Sequence, residues 1–270
     1  MIHQINETLS FLKKKGFGEA EIGIILGTGL GAFTNEVRIL AESPYEEIPH
    51  FVTSTVDLTK GRLIYGTVKG KKTVVMQGRF HYYEGYTMLQ ITFPVRVMKR
   101  MGIKILLLSN IAGAMNSEFK KGMIMLIEDH INFLPENPLR GLNYDELGPR
   151  FPDMSRPYDQ ELNEKLKEAA CEVGIGLKKG IYVAVQGPNL ETRAEYRFFC
   201  HKGGDAIGMS TVPEVIVARH MNLPCAAISV LTDECDPDNL VPADIPEIFE
   251  IAARGEKDVI QIWLKFLERF

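Results

Sequence analysis

Glu21-Ile-Gly-Ile-Ile-Leu-Gly-Thr-Gly-Leu-Gly31 is an apolar run that leads directly into a glycine-rich turn. A short apolar run bounded by turn residues is typical of a buried strand, so we predict a strand from Glu21 to Leu26. The turn that follows exposes backbone amides, which together with the Thr28 hydroxyl suit an anion such as phosphate. A tight turn without a ligand is the alternative interpretation.

The same turn formally fits a dinucleotide-binding pattern, Gly-x-Gly-x-x-Ala, through Gly27, Gly29 and Ala32. That pattern requires a helix after the turn and an acidic residue about 20 positions further on, for which Glu46 and Glu47 are the candidates. The sequence leaves open whether the turn binds a dinucleotide, binds phosphate alone, or is only structural.

Beyond this stretch, strands and helices alternate along the chain. Strands are predicted over residues 21–26, 62–68, 72–76, 103–109, 123–127, 181–185, 205–209 and 225–231, and helices over 3–15, 87–101, 160–173, 192–202, 212–221 and 245–270. This order predicts an α/β fold with a mixed, largely parallel β-sheet flanked by helices on both faces. Since no linker or shift in composition divides the chain, we predict one domain over residues 1–270. The loop from Pro135 to Pro157 holds five prolines, and such long loops are commonly functional or interface segments.

Composition excludes several classes of protein. With 31 basic and 35 acidic residues the net charge is −4, so no overall positive field attracts nucleic acid or a membrane surface. The four cysteines lack CxxC spacing and follow no secretory leader, which predicts reduced thiols, no zinc site and a cytoplasmic location. Every apolar stretch is shorter than the roughly 20 residues that span a bilayer, so we expect a soluble protein.

The segment Gly78-Arg-Phe-His-Tyr-Tyr-Glu-Gly-Tyr86 combines a fixed cation, an imidazole, a carboxylate and four aromatic rings directly after an apolar run. Arg79 offers a planar fork of donors that suits phosphate or carboxylate, and His81 adds a donor near neutral pH. The segment therefore predicts an oxyanion site beside an aromatic surface. An exposed turn with a chance arginine and histidine is the alternative.

Three further segments place polar side chains next to predicted strands. Glu191, in Gly-Pro-Asn-Leu-Glu-Thr, either caps the helix that follows or faces a ligand. Ser210, which follows Met209, is as well suited to an N-cap as to a ligand contact. Asp233 ends the last predicted strand and belongs either to a solvated acidic turn or to a site. Because ligands of α/β sheets bind outside the carboxyl ends of the strands, we expect all these segments to converge.

In this order, the segments resemble the trimeric class of purine nucleoside phosphorylases, from the Gly27 turn to about Thr232. The most specific motifs are the one beginning at Gly78, Gly187-Pro-Asn-Leu-Glu-Thr192, and Gly204-Asp-Ala-Ile-Gly-Met-Ser-Thr-Val-Pro-Glu-Val-Ile-Val-Ala-Arg-His220. Shorter agreements are Thr92-Phe-Pro-Val-Arg-Val97, Asn110-Ile-Ala-Gly113, Asp129-His-Ile-Asn132 and Asn137-Pro-Leu-Arg-Gly141.

The resemblance implies phosphate-dependent cleavage of the N-glycosidic bond of purine ribo- and deoxyribonucleosides. The products are the free base and the pentose 1-phosphate, formed with inversion. Inorganic phosphate is a co-substrate, and neither a metal nor an organic cofactor is needed.

The resemblance also implies a role for each matching position. Phosphate is held by Thr28, Arg79, His81, Ser210 and the backbone amide of Ile111; ribose lies against Tyr83 and Met209; and the purine is held by Leu190, Glu191 and Asp233. Of these, His81, Glu191 and Asp233 are the expected catalytic residues. Phe151, in the proline-rich loop, resembles an aromatic side chain that enters a neighbouring subunit's site, which implies a homotrimer.

Three positions depart from the family pattern. Thr59 replaces a second phosphate-binding histidine of many relatives, and its hydroxyl is a weaker, uncharged contact. No histidine follows His220, although the family often has one near residues 245–247 that binds the ribose 5′-hydroxyl. Asp233 replaces an asparagine that faces the purine 6-position and N7 in enzymes selective for 6-oxopurines.

Two other functions compete with this interpretation. A methylthioadenosine phosphorylase shares the fold; Asp233 and the lost histidine favour it, whereas Glu191 argues against it because that branch has a small hydroxyl residue there. A non-catalytic nucleoside-binding module accounts for the glycine turn but not for the combination of Arg79, His81 and Ser210. The sequence leaves open the ranking of inosine, guanosine and adenosine and the choice between ribose and deoxyribose.

Overall fold

A mixed sheet flanked by helices is the main feature of the computed structural model, which describes residues 1–53, 55 and 61–270. The strands are β1 (Ile22–Ile25), β2 (Arg38–Pro44), β3 (Arg62–Val68), β4 (Lys71–Gln77), β5 (Ile105–Ala114), β6 (Ile124–Asn132), β7 (Leu177–Ala184), β8 (Ala206–Gly208) and β9 (Cys225–Glu234). The helices are α1 (Ile2–Lys14), α2 (Met88–Arg100), α3 (Gln160–Glu172), α4 (Arg193–His201), α5 (Val212–His220) and α6 (Ile245–Leu267). The predicted fold class is confirmed.

The strand β1 lies in the middle of the sheet, parallel to β4 on one side and to β5 on the other. Ile25 is opposite Met76 in β4 and Leu108 in β5, so these strands end at nearly the same level. Beyond β4, the strands β3 and β2 continue the sheet in antiparallel order. On the other side, β5, β8, β7, β6 and β9 form a closed ring, because β9 pairs with both β6 and β5.

Both faces of the central strands are buried, which explains why β1 and β5 read as continuous apolar runs. Neighbouring side chains along a strand point to opposite faces. Ile25 and Leu108 pack with α1, α2 and α5 on one face, whereas Ile24 and Leu107 pack on the other face with α3 and with Trp263 of α6. The ends of these strands are therefore held firmly in place, and the turns that follow them inherit that rigidity.

Helix starts are fixed by local side-chain bonds. The Thr87 hydroxyl accepts from Gln90 N at 3.3 Å while the Gln90 side chain accepts from Thr87 N, and Thr192 and Glu195 repeat this capping box at the start of α4. Because Thr192 caps α4, Glu191 is not the cap, and its side chain remains available to a ligand.

The end of the chain is tied to the glycine turn by a buried carboxylate. Glu256 of α6 accepts from Ala32 N at 2.6 Å and from Phe33 N at 3.4 Å. Burial raises the pKa of this carboxyl, although the two amides favour its ionised form. As a result, the start of α6 lies over the turn that follows β1.

The dinucleotide interpretation of the turn is wrong. Residues Ala32–Glu36 form a short 3₁₀ turn instead of the α-helix that the pattern requires. Glu46 and Glu47 lie in another 3₁₀ turn, and Glu47 pairs with Lys15 at the surface. A phosphate-binding turn and a purely structural turn are the two interpretations that remain.

Several features of the sheet differ from the predictions. The strand β6 continues to Asn132 and β7 begins at Leu177, whereas strands over 123–127 and 181–185 were predicted. The edge strand β2 was not predicted, because its residues are mostly exposed, Ile39 and Leu40 included, and a bulge after Ile39 disturbs its alternation. The strand β5 continues to Ala114, whereas the sequence predicted a turn after Ser109. Long-range pairing with β9 extends it, and such pairing has no local signal.

Candidate active site

A cavity of about 240 Å³ opens where the strand ends meet, and it brings the predicted site residues together. Its lining includes Thr28, Arg79, His81, Tyr83, Ile111, Leu190, Glu191, Met209, Ser210 and Asp233. These segments therefore come together at one cavity, as predicted. Phe151 does not line this cavity; it is 89% exposed. Thr59 lies outside the described residues.

Arg79 is almost completely buried, at 1% exposure, which rules out the exposed-turn interpretation. Its Nη1 donates to Ser109 O at 3.0 Å, Ser210 Oγ at 2.9 Å and Thr211 Oγ1 at 3.0 Å. Its Nε lies 3.3 Å from Oε1 of the equally buried Glu214. A buried charge of this kind is tolerated because it is paired and hydrogen-bonded.

Directly after Ser210 the backbone adopts an unusual turn. Thr211 has φ 74° and ψ −51°, and Val212 N donates to Ser210 O at 2.8 Å, which together define a γ-turn with positive φ. For a β-branched residue this conformation costs on the order of 1–3 kcal/mol. Hydrogen bonds from Arg79 and Asn110 to the Thr211 hydroxyl hold it. The turn places the Ser210 hydroxyl in the cavity instead of at a helix cap.

His81 is oriented by a carboxylate three residues away. Glu84 Oε1 accepts from His81 N at 2.7 Å and lies 3.2 Å from His81 Nδ1, while Oε2 accepts from Thr55. Burial opposes ionisation of Glu84, but the hydrogen bonds from His81 and Thr55 outweigh it, so its pKa lies below the usual value. The His81 ring stacks on Tyr83 with centroids 4.9 Å apart. Nε2 is therefore the ring nitrogen available to a ligand.

The glycine turn completes this end of the cavity. A Cβ at Gly27 would lie 2.8 Å from Asn110 Cα and 2.9 Å from Ser109 O, so only glycine allows the turn to approach β5 so closely. Within the described part of the chain, Thr28 Oγ1 and Arg79 Nη2 are buried without a hydrogen-bond partner. Unpaired buried donors are costly, and here they line a cavity, which suits the site to an oxyanion.

The opposite end of the cavity is acidic. Burial raises the pKa of Glu191, and the charges of Glu195 and Asp233 raise it further, against the stabilising effect of a backbone amide and the Tyr196 hydroxyl. Burial likewise raises the pKa of Tyr196 well above its usual range. The Tyr196 hydroxyl therefore stays protonated and acts as a donor at this end of the site.

Asp233 is held by two neighbours rather than solvated. Thr232 Oγ1 donates to its Oδ1 at 2.9 Å and Cys235 Sγ donates to its Oδ2 at 3.2 Å. Burial, followed by the Asp233 charge, raises the pKa of Cys235, so the thiol remains a donor. Gly113 makes room for this pair, since a Cβ there would lie 2.5 Å from the sulfur. Both Asp233 oxygens are thus used as acceptors, and the carboxylate presents acceptor character to the cavity.

Besides these two ends, the cavity has an apolar wall, which is formed by the start of α6. Ile245, Ile248 and Phe249 line it, and it lies where the missing histidine was sought. Sequence analysis did not identify these side chains, nor Tyr196 and Cys235. Tyr196 lies one helical turn after the Gly187 motif and Cys235 two residues after Asp233, and this proximity was the only signal.

Across the described residues, no cluster of three His, Cys, Asp or Glu side chains could hold a metal ion. Nor is any helix in the described ranges long and apolar enough to cross a bilayer.

Comparison with known proteins identifies the family. Residues 21–268 match the model of the phosphorylase superfamily. The chain belongs to the phosphorylase superfamily. Among curated members, purine nucleoside phosphorylase 1 of Geobacillus stearothermophilus is 44% identical over 257 residues, covering 95% of this chain and 94% of the relative. Purine nucleoside phosphorylase 1 of Bacillus subtilis (strain 168) is also 44% identical, over 97% of both chains.

Solved structures of this superfamily agree with the fold. The purine nucleoside phosphorylase of Schistosoma mansoni, in complex with adenosine, superposes with a TM-score of 0.93 at 36% identity, covering 100% of this chain and 98% of the other. The resemblance to purine nucleoside phosphorylases that the sequence showed is confirmed.

The environment of Glu191 leads to a testable titration behaviour. We expect its carboxyl to titrate above the usual value of 4.5 because burial disfavours the charged form. Replacement of Tyr196 by phenylalanine removes a donor to the carboxylate, so it is expected to raise this pKa further. Carbon-13 NMR of labelled glutamate side chains measures both. The exposed Glu195, whose pKa is lowered by hydrogen bonds from Thr192, is the internal control. A Glu191 that titrates at or below the Glu195 value would contradict this account.

Proposed function

We infer that this chain is a purine nucleoside phosphorylase, a pentosyltransferase that cleaves the N-glycosidic bond of purine ribo- or deoxyribonucleosides with inorganic phosphate. This inference rests mainly on one cavity whose two ends differ in hydrogen-bonding character. Arg79, Ser210 and Thr28 offer donors at one end, and Glu191 and Asp233 offer acceptors at the other. The distinctive chemical parts of the substrates, a phosphate and a purine, match these ends. Close similarity to purine nucleoside phosphorylases from bacteria supports the same reaction.

At the donor end, the phosphate is both the nucleophile and the counter-charge. The sugar develops oxocarbenium character as the base leaves, and a bound phosphate beneath C1′ stabilises that charge. Arg79 Nη2, Thr28 Oγ1 and Ser210 Oγ are the donors assigned to the phosphate oxygens, with the backbone amide of Ile111. Glu214 neutralises part of the Arg79 charge.

His81 contributes its second ring nitrogen to the same anion. Glu84 holds the Nδ1 side of the ring, so Nε2 is directed to the phosphate as a proton donor or acceptor. Tyr83, stacked on His81, and Met209, next to Ser210 in the chain, line the same cavity and are assigned to the ribose. Arg79, His81 and Tyr83, which belong to one segment, thus contribute to both the phosphate and the ribose contacts.

At the acceptor end, Glu191 accepts the N1 proton that 6-oxopurine nucleosides carry, and Leu190 packs beside the base. Asp233, already an acceptor from Thr232 and Cys235, accepts most readily from an exocyclic 6-amino group. We therefore assign activity on adenosine, through Asp233, as well as on 6-oxopurine nucleosides, through Glu191. The related Schistosoma mansoni enzyme has been crystallised with adenosine, in agreement with this assignment.

A second candidate, a methylthioadenosine phosphorylase, is favoured by one observation. The wall formed by Ile245, Ile248 and Phe249 offers apolar contacts instead of the histidine that binds a 5′-hydroxyl, and a 5′-thioether suits such a wall. Glu191 opposes this candidate, because that branch of the family has a small hydroxyl residue at this position. Comparison of kcat/KM for inosine and methylthioadenosine decides between the two.

The assembly we propose is a homotrimer with Phe151 at the site of a neighbour. Its side chain is 89% exposed, within a loop that contains neither helix nor strand from residue 133 to residue 159. An exposed phenylalanine on such a loop contributes little to its own core, and contact with a second copy gives it a function.

The first prediction tests phosphate use. Arg79→Ala or His81→Ala is expected to lower kcat/KM for phosphate about 100-fold and to change inosine binding little, because both side chains serve the anion. Ultraviolet assays of inosine with and without phosphate, with detection of ribose 1-phosphate, measure this. The control Arg197→Ala removes an exposed arginine and should retain full activity.

Thermal unfolding must accompany these assays, because Arg79→Ala leaves Glu214 buried without its partner. Hydrolysis or cleavage by the wild type in the absence of phosphate would refute the proposed reaction. A variant that keeps wild-type phosphate dependence would refute the role of its residue.

The second prediction concerns the 6-position of the purine. Asp233→Asn is expected to lower adenosine turnover relative to inosine by about tenfold, or about 1.4 kcal/mol, since a neutral amide that can also present its NH2 group replaces a carboxylate that only accepts from the 6-amino group. The ratio of kcat/KM for the two nucleosides is the measurement. Asp236→Asn, an exposed acid three residues further on, is the matched control. An unchanged ratio in Asp233→Asn would remove the basis for this assignment.

The third prediction concerns assembly. Light scattering is expected to give three times the mass of one 30.4 kDa chain. Phe151→Ala should raise KM for the nucleoside without lowering the stability of the single chain, since the ring is exposed there. Leu40→Ala, at an exposed position of the edge strand, controls for loss of surface apolar area. A fully active monomer at micromolar concentration would disprove the shared site.

A further inference from the structure

A second cavity, of about 250 Å³, lies away from the active site, between the start of α1, helix α2, the loop around residues 138–144 and the end of α5. None of the residues that line it lines the active-site cavity. Its polar side chains are Gln4, Arg96, Arg140, Asn143, Tyr144 and His220. The proposed reaction uses none of them.

Arg96 is the unusual member of this group. It is 3% exposed, yet its side chain has no hydrogen bond and no ion pair with any described residue, and its Nε is buried without a partner. The buried Arg79 makes the contrast clear, since that side chain has three hydrogen bonds and Glu214. A buried, unpaired guanidinium costs several kcal/mol unless something compensates it.

The surroundings of Arg96 do not supply the compensation. Among the described residues, no carboxylate lines the cavity. The nearest acidic residues along the loop are engaged elsewhere, because Asp145 accepts from Asn143 and Glu146 pairs with Arg100. Burial lowers the pKa of Arg96 to about 10, so the side chain is still a cation at neutral pH. The cavity therefore has an unmatched positive charge.

We propose that this cavity is a second oxyanion site, in which a phosphate or a carboxylate group binds to Arg96. The guanidinium fork matches two oxygens of either group, and the Arg140 side chain and Tyr144 hydroxyl line the same cavity. Two sources provide this chemistry: free inorganic phosphate and a carboxylate of a second copy of this chain. The exposed Leu89 and Leu142 at the cavity are compatible with either source.

Phosphate binding is the direct test. Equilibrium dialysis with labelled inorganic phosphate is expected to find two phosphates per wild-type chain and one per Arg96→Met chain, with inosine phosphorolysis retained. Arg100→Met is the matched control, because Arg100 is on the same helix but exposed and paired with Glu146. It should bind two phosphates.

Light scattering tests whether the bound oxyanion is a carboxylate of a second copy of this chain instead of free phosphate. If the wild type binds one phosphate per chain and Arg96→Met alone lowers the mass of the assembly, the oxyanion is a carboxylate of a second copy. If both proteins bind one phosphate and have the same mass, the proposal is wrong. Should Arg96→Met fail to fold, Arg96→Lys replaces it, since lysine keeps the charge but not the fork and should weaken the second site alone.

Discussion

The buried guanidinium of Arg79 is the interaction on which the rest of the site depends. One side chain contacts the end of β5 through Ser109, the γ-turn through Ser210 and Thr211, and helix α5 through Glu214. A cation in the interior cannot remain without such partners, so each of these segments is held at a fixed distance from the others. The strain of the Thr211 backbone is compensated by the same contacts.

This constraint also gives the cavity its polarity. Donors are concentrated around Arg79, whereas Glu191 and Asp233 share the other end, where burial and the charge of Asp233 raise the pKa of Glu191. In the proposed reaction, this polarity assigns inorganic phosphate to the donor end and the purine of the nucleoside to the acceptor end. The hydroxyl of Tyr196 and the thiol of Cys235 moderate the acidic end, because both stay protonated and donate.

Helix α6 adds a second constraint at long range. Its Glu256 binds the amides that follow the glycine turn, so the last helix of the chain closes over the first strand's loop. The apolar wall of Ile245, Ile248 and Phe249 is brought to the cavity in this way. A residue more than 200 positions away thus determines the shape of the site beside Thr28.

The sequence by itself determined the α/β order, the buried central strands and ten of the residues that line the cavity, because apolar runs and the motifs at their ends are local signals. The tertiary structure alone decided that β5 extends to Ala114 and that β2 joins the edge, since strand pairing is a long-range property. It also decided that Glu191 faces the cavity rather than caps α4, and that Cys235 and Tyr196 surround the acidic end. Such roles depend on burial and on neighbours from distant segments, and neither of these is encoded in a residue's immediate sequence.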